Sequence, residues 1–213
     1  MWGFLVLTRY RPRQPFMVGK NDVPSTHPSL LARIRLEHAG PAWMEFVSLY
    51  GPVIYSFAKK HNLQETDAQD LCQEVFLTVM SQIKDFTYSP EKGRFRSWLY
   101  RVSISRIIDM ARSRKNDPTL LSHISLMESP KGVSEWDELF QQSVLKSALE
   151  WVRAQCQEEH WEVFRMVWVE KKPAQEVAAA RNLAIAQVYL IKSRLAARLE
   201  EEVHRLSEDI PPI

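Results

Sequence analysis

The sequence predicts an all-helical protein built as two small domains, and three observations carry that reading. Apolar residues recur at three- and four-residue spacing along almost the whole chain. No stretch alternates apolar and polar residues for long enough to argue for a sheet. The stretch 116–135, with Asn116, Asp117, Pro118, Ser129, Pro130, Lys131 and Gly132, combines the poorest periodicity with the most breakers, which reads as a linker.

Five segments follow: an irregular extension over 1–24, a helical domain over 25–115, the linker, a second helical domain over 136–207 and a tail over 208–213. The extension is basic and broken (Arg9, Arg11, Pro12, Arg13, Pro15), and a second possible start at Met17 places it outside the expected core. In the first domain, Ser29 to Glu37 is a short helix. Pro41 to His61 is a longer one with Trp43, Phe46, Val47, Tyr50, Ile54 and Phe57 on its apolar face, and Pro52 is expected to kink it. Thr66 and Gln69 have the spacing of a capping box, opening a helix to about Ile83 that turns Ala68, Leu71, Cys72, Val75 and Val79 inward. Its other face carries Asp70, Gln73 and Glu74. A loop from Lys84 to Lys92 leads to a last helix, Arg94 to about Lys115, with Phe95, Trp98, Leu99, Val102, Ile107 and Ile108 as its stripe.

The second domain reads as helices over 137–157, 159–170, 173–181 and 184–206. Pro173 suits a helix start, and Asn182 tolerates the left-handed conformation of a helix stop. Helix, tight turn and helix of these lengths form a helix-turn-helix pattern.

Composition bounds the chemistry. A chain of 213 residues, 45% apolar and 25% charged with 6 Gly and 12 Pro, is neither collagenous nor low-complexity. A formal charge of +2 requires any nucleic-acid function to come from the distribution of charge. Cys72 and Cys156 stand far apart without metal-ligand spacing, which fits a reducing, cytoplasmic setting and neither a disulfide framework nor a zinc site. The apolar run Trp2 to Leu7 is too short for a membrane span and lacks the flanks of an export signal. There is no phosphate-cradling loop, HExxH or nucleophile–histidine pairing, so neither catalysis nor a metal or cofactor is expected.

Two windows are basic. From Lys92 to Lys115, eight basic residues (Lys92, Arg94, Arg96, Arg101, Arg106, Arg112, Arg114 and Lys115) stand against Asp109 alone. Arg94, Arg101 and Arg112 are near-integral turns apart, so they share a face that can track phosphates. Phe86, Tyr88, Trp98 and Tyr100 are the residue types on which unpaired bases stack, at about 1–3 kcal/mol per base. Trp98 falls on the apolar stripe and reads first as core; Tyr88 and Tyr100, off that stripe, are the better platforms. From Arg181 to Arg198 there are four basic residues and no acidic ones. There Gln187, Tyr189, Lys192, Ser193, Arg194 and Arg198 can reach base edges and phosphates, while Val188, Ile191 and Leu195 face the core.

The run Asp67-Ala68-Gln69-Asp70-Leu71-Cys72-Gln73-Glu74-Val75-Phe76, followed by Gly93-Arg94-Phe95-Arg96-Ser97-Trp98-Leu99-Tyr100-Arg101-Val102 and then Asp109, Arg112 and Arg114, resembles region 2 of the extracytoplasmic-function (ECF) sigma factors of bacterial RNA polymerase. Residues 148–203, with Val188-Tyr189-Leu190-Ile191-Lys192-Ser193-Arg194, resemble region 4 of the same family. The resemblance implies that Asp70, Gln73 and Glu74 dock on a basic coiled coil of the polymerase clamp. It implies that Phe86 to Arg114 melt and hold the start-proximal promoter element, and that the helix-turn-helix reads the upstream element and touches the polymerase flap. An anti-sigma factor is a further partner it allows. Asn182 and Ala184 stand where many members have Gly and a Ser or Thr cap, which weakens the cap by about 1 kcal/mol. Two other classes remain open: a stand-alone helix-turn-helix regulator binding duplex operators as a dimer, and a helical adaptor whose basic windows are solvated faces.

Overall fold

The computed structural model describes residues 30–36, 40–84, 95–113 and 124–207. The fold is all-α. Its helices are α1 (Leu30–Leu36), α2 (Pro41–Lys60), α3 (Glu65–Gln82), α4 (Phe95–Ser113), α5 (Pro130–Ala154), α6 (Glu158–Phe164), α7 (Ala174–Arg181) and α8 (Ile185–Ser207), with a π-helical turn over Arg165–Val169 continuing α6. They form two compact units. Pro28–Ser147 and His204–Ile213 belong to the first, and Ala148–Val203 to the second.

In the first unit α2 is the central helix. Phe46, Leu49, Tyr50, Val53, Ile54 and Phe57 are all buried, the spacing of a broad apolar stripe. It runs unbroken through Pro52, whose missing N–H leaves one carbonyl a turn earlier without its helical donor. Its stop is a Schellman motif: Asn62 is left-handed (φ 64), with Leu63 N–H donating to the Ala58 carbonyl and Asn62 N–H to that of Lys59. The next helix then begins at Glu65, with Gln64 as its cap and Ala68 N–H on the Gln64 carbonyl. Thr66 therefore lies inside the first turn, and the expected Thr66–Gln69 capping box does not form.

The expected linker is corrected where it can be followed; its first residues, 116–123, lie outside the described residues. Residues 124–127 make a helical turn and α5 begins at Pro130. The breakers are a helix start: Ser129 Oγ accepts from the N–H of Gly132 at 3.4 Å, and Pro130 takes the first helical position, where its lost donor is not missed. The stretch 124–147 belongs to the first unit, so the boundary falls after Ser147 rather than before residue 136. Trp136 lies edge-on to Phe57 at 5.4 Å, Phe140 stacks on Tyr50 at 5.4 Å, and Ser143 Oγ donates to the Leu49 carbonyl at 2.6 Å.

Gly132 is fixed by space. A Cβ there would lie 2.1 Å from the Met127 carbonyl oxygen and 2.9 Å from that of Leu126. Gly132→Ala gains at most about 1 kcal/mol of helix propensity and forces this contact apart, so a net loss of about 1–3 kcal/mol is expected. Urea unfolding checks it, with Lys131→Ala at the exposed neighbour expected to shift stability by less than about 0.5 kcal/mol.

The second unit packs Val163, Met166, Ala174, Val177, Ala178 and Val188 into one cluster, with Val167, Leu183 and Ile191 against it. α7 stops at Asn182 (φ 53, ψ 45), with Leu183 N–H on the Ala178 carbonyl, and α8 follows after two more residues. A third left-handed residue, Lys171 (φ 59), closes the π turn.

Candidate nucleic-acid interface

On α3, Leu71, Val75 and Val79 turn inward and leave Asp70, Gln73 and Glu74 exposed together on the opposite face. The stripe continues into Leu77, 64% exposed, and Met80. These apolar neighbours were missed in the sequence because a leucine among helical apolar residues reads as core. At the edge of this stripe Arg106 of α4 bonds Thr78 Oγ1 at 3.1 Å, tying α4 to α3.

The basic helix sorts into separate roles. Arg101 and Arg112 are exposed on one face of α4, as the spacing predicts. Asp109 lies between Arg106 and Arg112, 3.7 Å and 4.0 Å from them, and offsets part of the charge. Arg96 places its guanidinium over the Phe140 ring at 4.6 Å, which makes it a packing residue. Phe86, Tyr88, Lys92, Arg94 and Arg114 lie outside the described residues.

The two aromatics of α4 behave differently from each other. Trp98 is half-buried, 5.3 Å from Phe95. Tyr100 corrects the expectation of a base platform: it is 8% exposed, its ring lies 5.6 Å from Phe57 and 5.5 Å from Trp136, and its hydroxyl donates to the Met127 carbonyl. Burial, aided by Glu128 and Glu135, pushes its pKa up to about 12, so the hydroxyl stays a donor throughout the neutral range. The faces that bury Tyr100 come from residues 57, 127 and 136, beyond the reach of a local periodicity argument.

In the second unit Glu162 accepts two hydrogen bonds from Arg165, at 3.1 and 2.8 Å, and one from Arg181 at 3.1 Å, joining α6 to α7. The Arg165 hydrogen bonds hold the Glu162 carboxyl below its ordinary range. This contribution is present above the unfolded carboxylate pKa and is lost as pH falls through the lowered folded value. On α8, Gln187, Tyr189, Ser193, Arg194 and Arg198 are exposed and Lys192 is half-buried, while Val188 and Leu195 face the core. Gln187 has a local duty that the sequence did not reveal: its side-chain oxygen accepts the N–H of Ala184 at 3.0 Å, the returning half of a capping box. A groove of about 610 Å³ runs beside α8, with Cys156, His160, Val163, Leu183, Leu190 and Arg194 among its walls.

Among the described residues no helix is long and apolar enough to cross a membrane, and no cluster of His, Cys, Asp or Glu could hold a metal ion.

Residues 46–116, most of α2 through α4, match the family model of sigma-70 region 2. Over 76 residues the chain is 32% identical to the ECF RNA polymerase sigma factor SigE of Mycolicibacterium smegmatis, covering 36% of this chain and 28% of that protein. Over 74 residues it is 28% identical to the RNA polymerase sigma factor CnrH of Cupriavidus metallidurans, covering 35% of this chain and 37% of that one. The matched stretches thus span about a third of those relatives' length. A solved structure of CnrH in complex with the cytosolic domain of CnrY is similar at a TM-score of 0.32 and 18% identity, over 82% of this chain and 95% of that chain.

Proposed function

We infer that this chain, whose residues 46–116 match sigma-70 region 2, is an RNA polymerase sigma factor of the ECF group, which directs transcription initiation and has no catalysis of its own. That match carries the reading, and the chemistry of the exposed faces supports it. Asp70, Gln73 and Glu74 form an acidic and polar face suited to a basic coiled coil of the polymerase clamp. Phe86 and Tyr88, together with Arg101 and Arg112, hold the start-proximal promoter element as it melts, cations on phosphates and aromatics on unpaired bases. The helix-turn-helix of α7 and α8 lies in the major groove of the upstream element, with Lys192, Ser193, Arg194 and Arg198 toward DNA. The second unit also meets the polymerase flap, and an anti-sigma factor is a partner the same surfaces can serve.

Run-off transcription with purified bacterial core polymerase on fragmented genomic DNA tests the reading. New specific transcripts, appearing only when the protein is added, are expected. No association with core enzyme, alongside tight duplex binding by the protein alone, would instead identify a stand-alone regulator. Once a promoter is in hand, Arg194→Ala should weaken dependence on the upstream element by about tenfold, on the scale of one lost base contact. Permanganate footprinting should show promoter opening lost in Tyr88→Ala and Arg101→Ala; opening left intact in both would remove the melting role.

A further inference from the structure

The recognition helix presents an apolar apex. Successive residues turn by about 100° around a helix, so Val188, fully buried against the core, sets Ala186, Leu190, Ser193 and Ala197 on the far side. All four are exposed, and Ser193 is the only polar side chain among them. Three of the unit's large exposed apolar residues, Ile185 at 43%, Tyr189 at 53% and Leu190 at 49%, crowd the first six positions of this helix. The basic groups Arg194 and Arg198 lie on one shoulder with Gln187, and Gln187 is already engaged by the Ala184 N–H. That bond fixes the amide at the start of the helix, so its orientation is set by capping rather than by a base.

An apolar apex beside a basic shoulder, in a window with no acidic residue from Arg181 to Arg198, is complementary to one feature of duplex DNA. Phosphates flank the major groove on both sides, and the thymine 5-methyl group is the single apolar group on its floor. Resting on the sigma-factor reading of this helix, we propose that Leu190 is a specificity residue that recognises a thymine methyl group in the upstream promoter element. Arg198, on the shoulder beside it, then helps set the register by phosphate contact, and the sequence preference at the Leu190 position comes from apolar contact rather than from a hydrogen bond.

The test uses the full chain bound to core polymerase and a promoter duplex obtained by run-off transcription. Each thymine of the upstream element, on either strand, is replaced by deoxyuridine, which deletes the methyl group alone. At one position the wild-type complex should bind about three- to fivefold more weakly, the effect of one methyl returned to water. Leu190→Ala should bind the methylated and unmethylated duplexes alike, while Leu190→Met should keep the discrimination. No thymine position sensitive to methyl loss, or sensitivity undiminished in Leu190→Ala, would overturn the assignment. So would a Leu190→Ala complex whose defect lies only in affinity for core polymerase, since the leucine would then belong to a protein contact. Failure of the underlying reading looks different: scrambling the whole upstream element would leave transcription unchanged.

Discussion

Trp136→Ala is expected to destabilise the first unit by about 3–5 kcal/mol, the cost of deleting a large buried aromatic. Trp136 is 2% exposed and meets Phe57 of α2 and Tyr100 of α4 at once, so its removal opens a void at the joint of three helices. Two flanking effects differ in size. Its indole N–H has no acceptor among the described residues, so Trp136→Phe removes a buried donor while keeping most of the apolar volume. That variant should lose less than half as much. Hydrogen exchange at the α2 amides is the decisive readout, because it reports the unit that contains α2 rather than the whole chain. Exchange should accelerate by about two orders of magnitude or more in Trp136→Ala, a factor of ten for each 1.4 kcal/mol. If α2 protection were unchanged, residues 124–147 would not be part of the first unit's core.

Glu74→Lys is expected to weaken association with core polymerase by about ten- to a hundredfold while changing unfolding stability by less than about 0.5 kcal/mol. Glu74 is exposed, and its side chain lies on the face that Asp70 and Gln73 share, so reversal of its charge turns local attraction to a basic partner into repulsion. Glu138→Lys is the control. It makes the same change in net charge at an exposed position on α5, in the same unit. Equal losses for the two variants would assign the effect to overall charge, and no loss in Glu74→Lys would remove this face from the polymerase contact. The loss should also shrink with added salt, since rim charges act over a screened distance.

What the sequence made legible was what lies within a few residues along the chain. The apolar stripes of α2 and α3 fell where their spacing put them, that of α4 did so at Phe95, Leu99 and Ile107 but buried Tyr100 and Ile104 where Val102 and Ile108 were expected, and Asn182 stopped α7 in the left-handed conformation that its side chain tolerates. Errors arose where one local pattern has two meanings. Ser129-Pro130-Lys131-Gly132 has the composition of a linker and the order of a capped helix start, and only the packing of Gly132 against the Met127 backbone distinguishes them. Thr66 and Gln69 had capping-box spacing, yet the Schellman stop at Asn62 and Leu63 brings the chain into α3 two residues sooner. At the candidate site the exposed acids of α3 and the shared face of Arg101 and Arg112 were readable. The burial of Tyr100 was not, because the groups that cover it are 27 residues away or more. The capping role of Gln187 was missed for the opposite reason: its partner, Ala184, is so close that a residue suited to base contact was also suited to capping.

Glu45 carries a consequence for the protein as it is made. Its carboxylate takes Arg33 of α1 at 2.8 Å and Arg205, in the last turn of α8, at 2.7 Å, and the second bond joins residues 160 apart in sequence. A ribosome delivers the chain from its N-terminus. Arg33 therefore reaches Glu45 as soon as α2 has emerged, whereas Arg205 arrives only when synthesis has passed every helix described. Until then one of this carboxylate's two described partners is missing, and the first unit waits on the last turn of α8 to complete the pair.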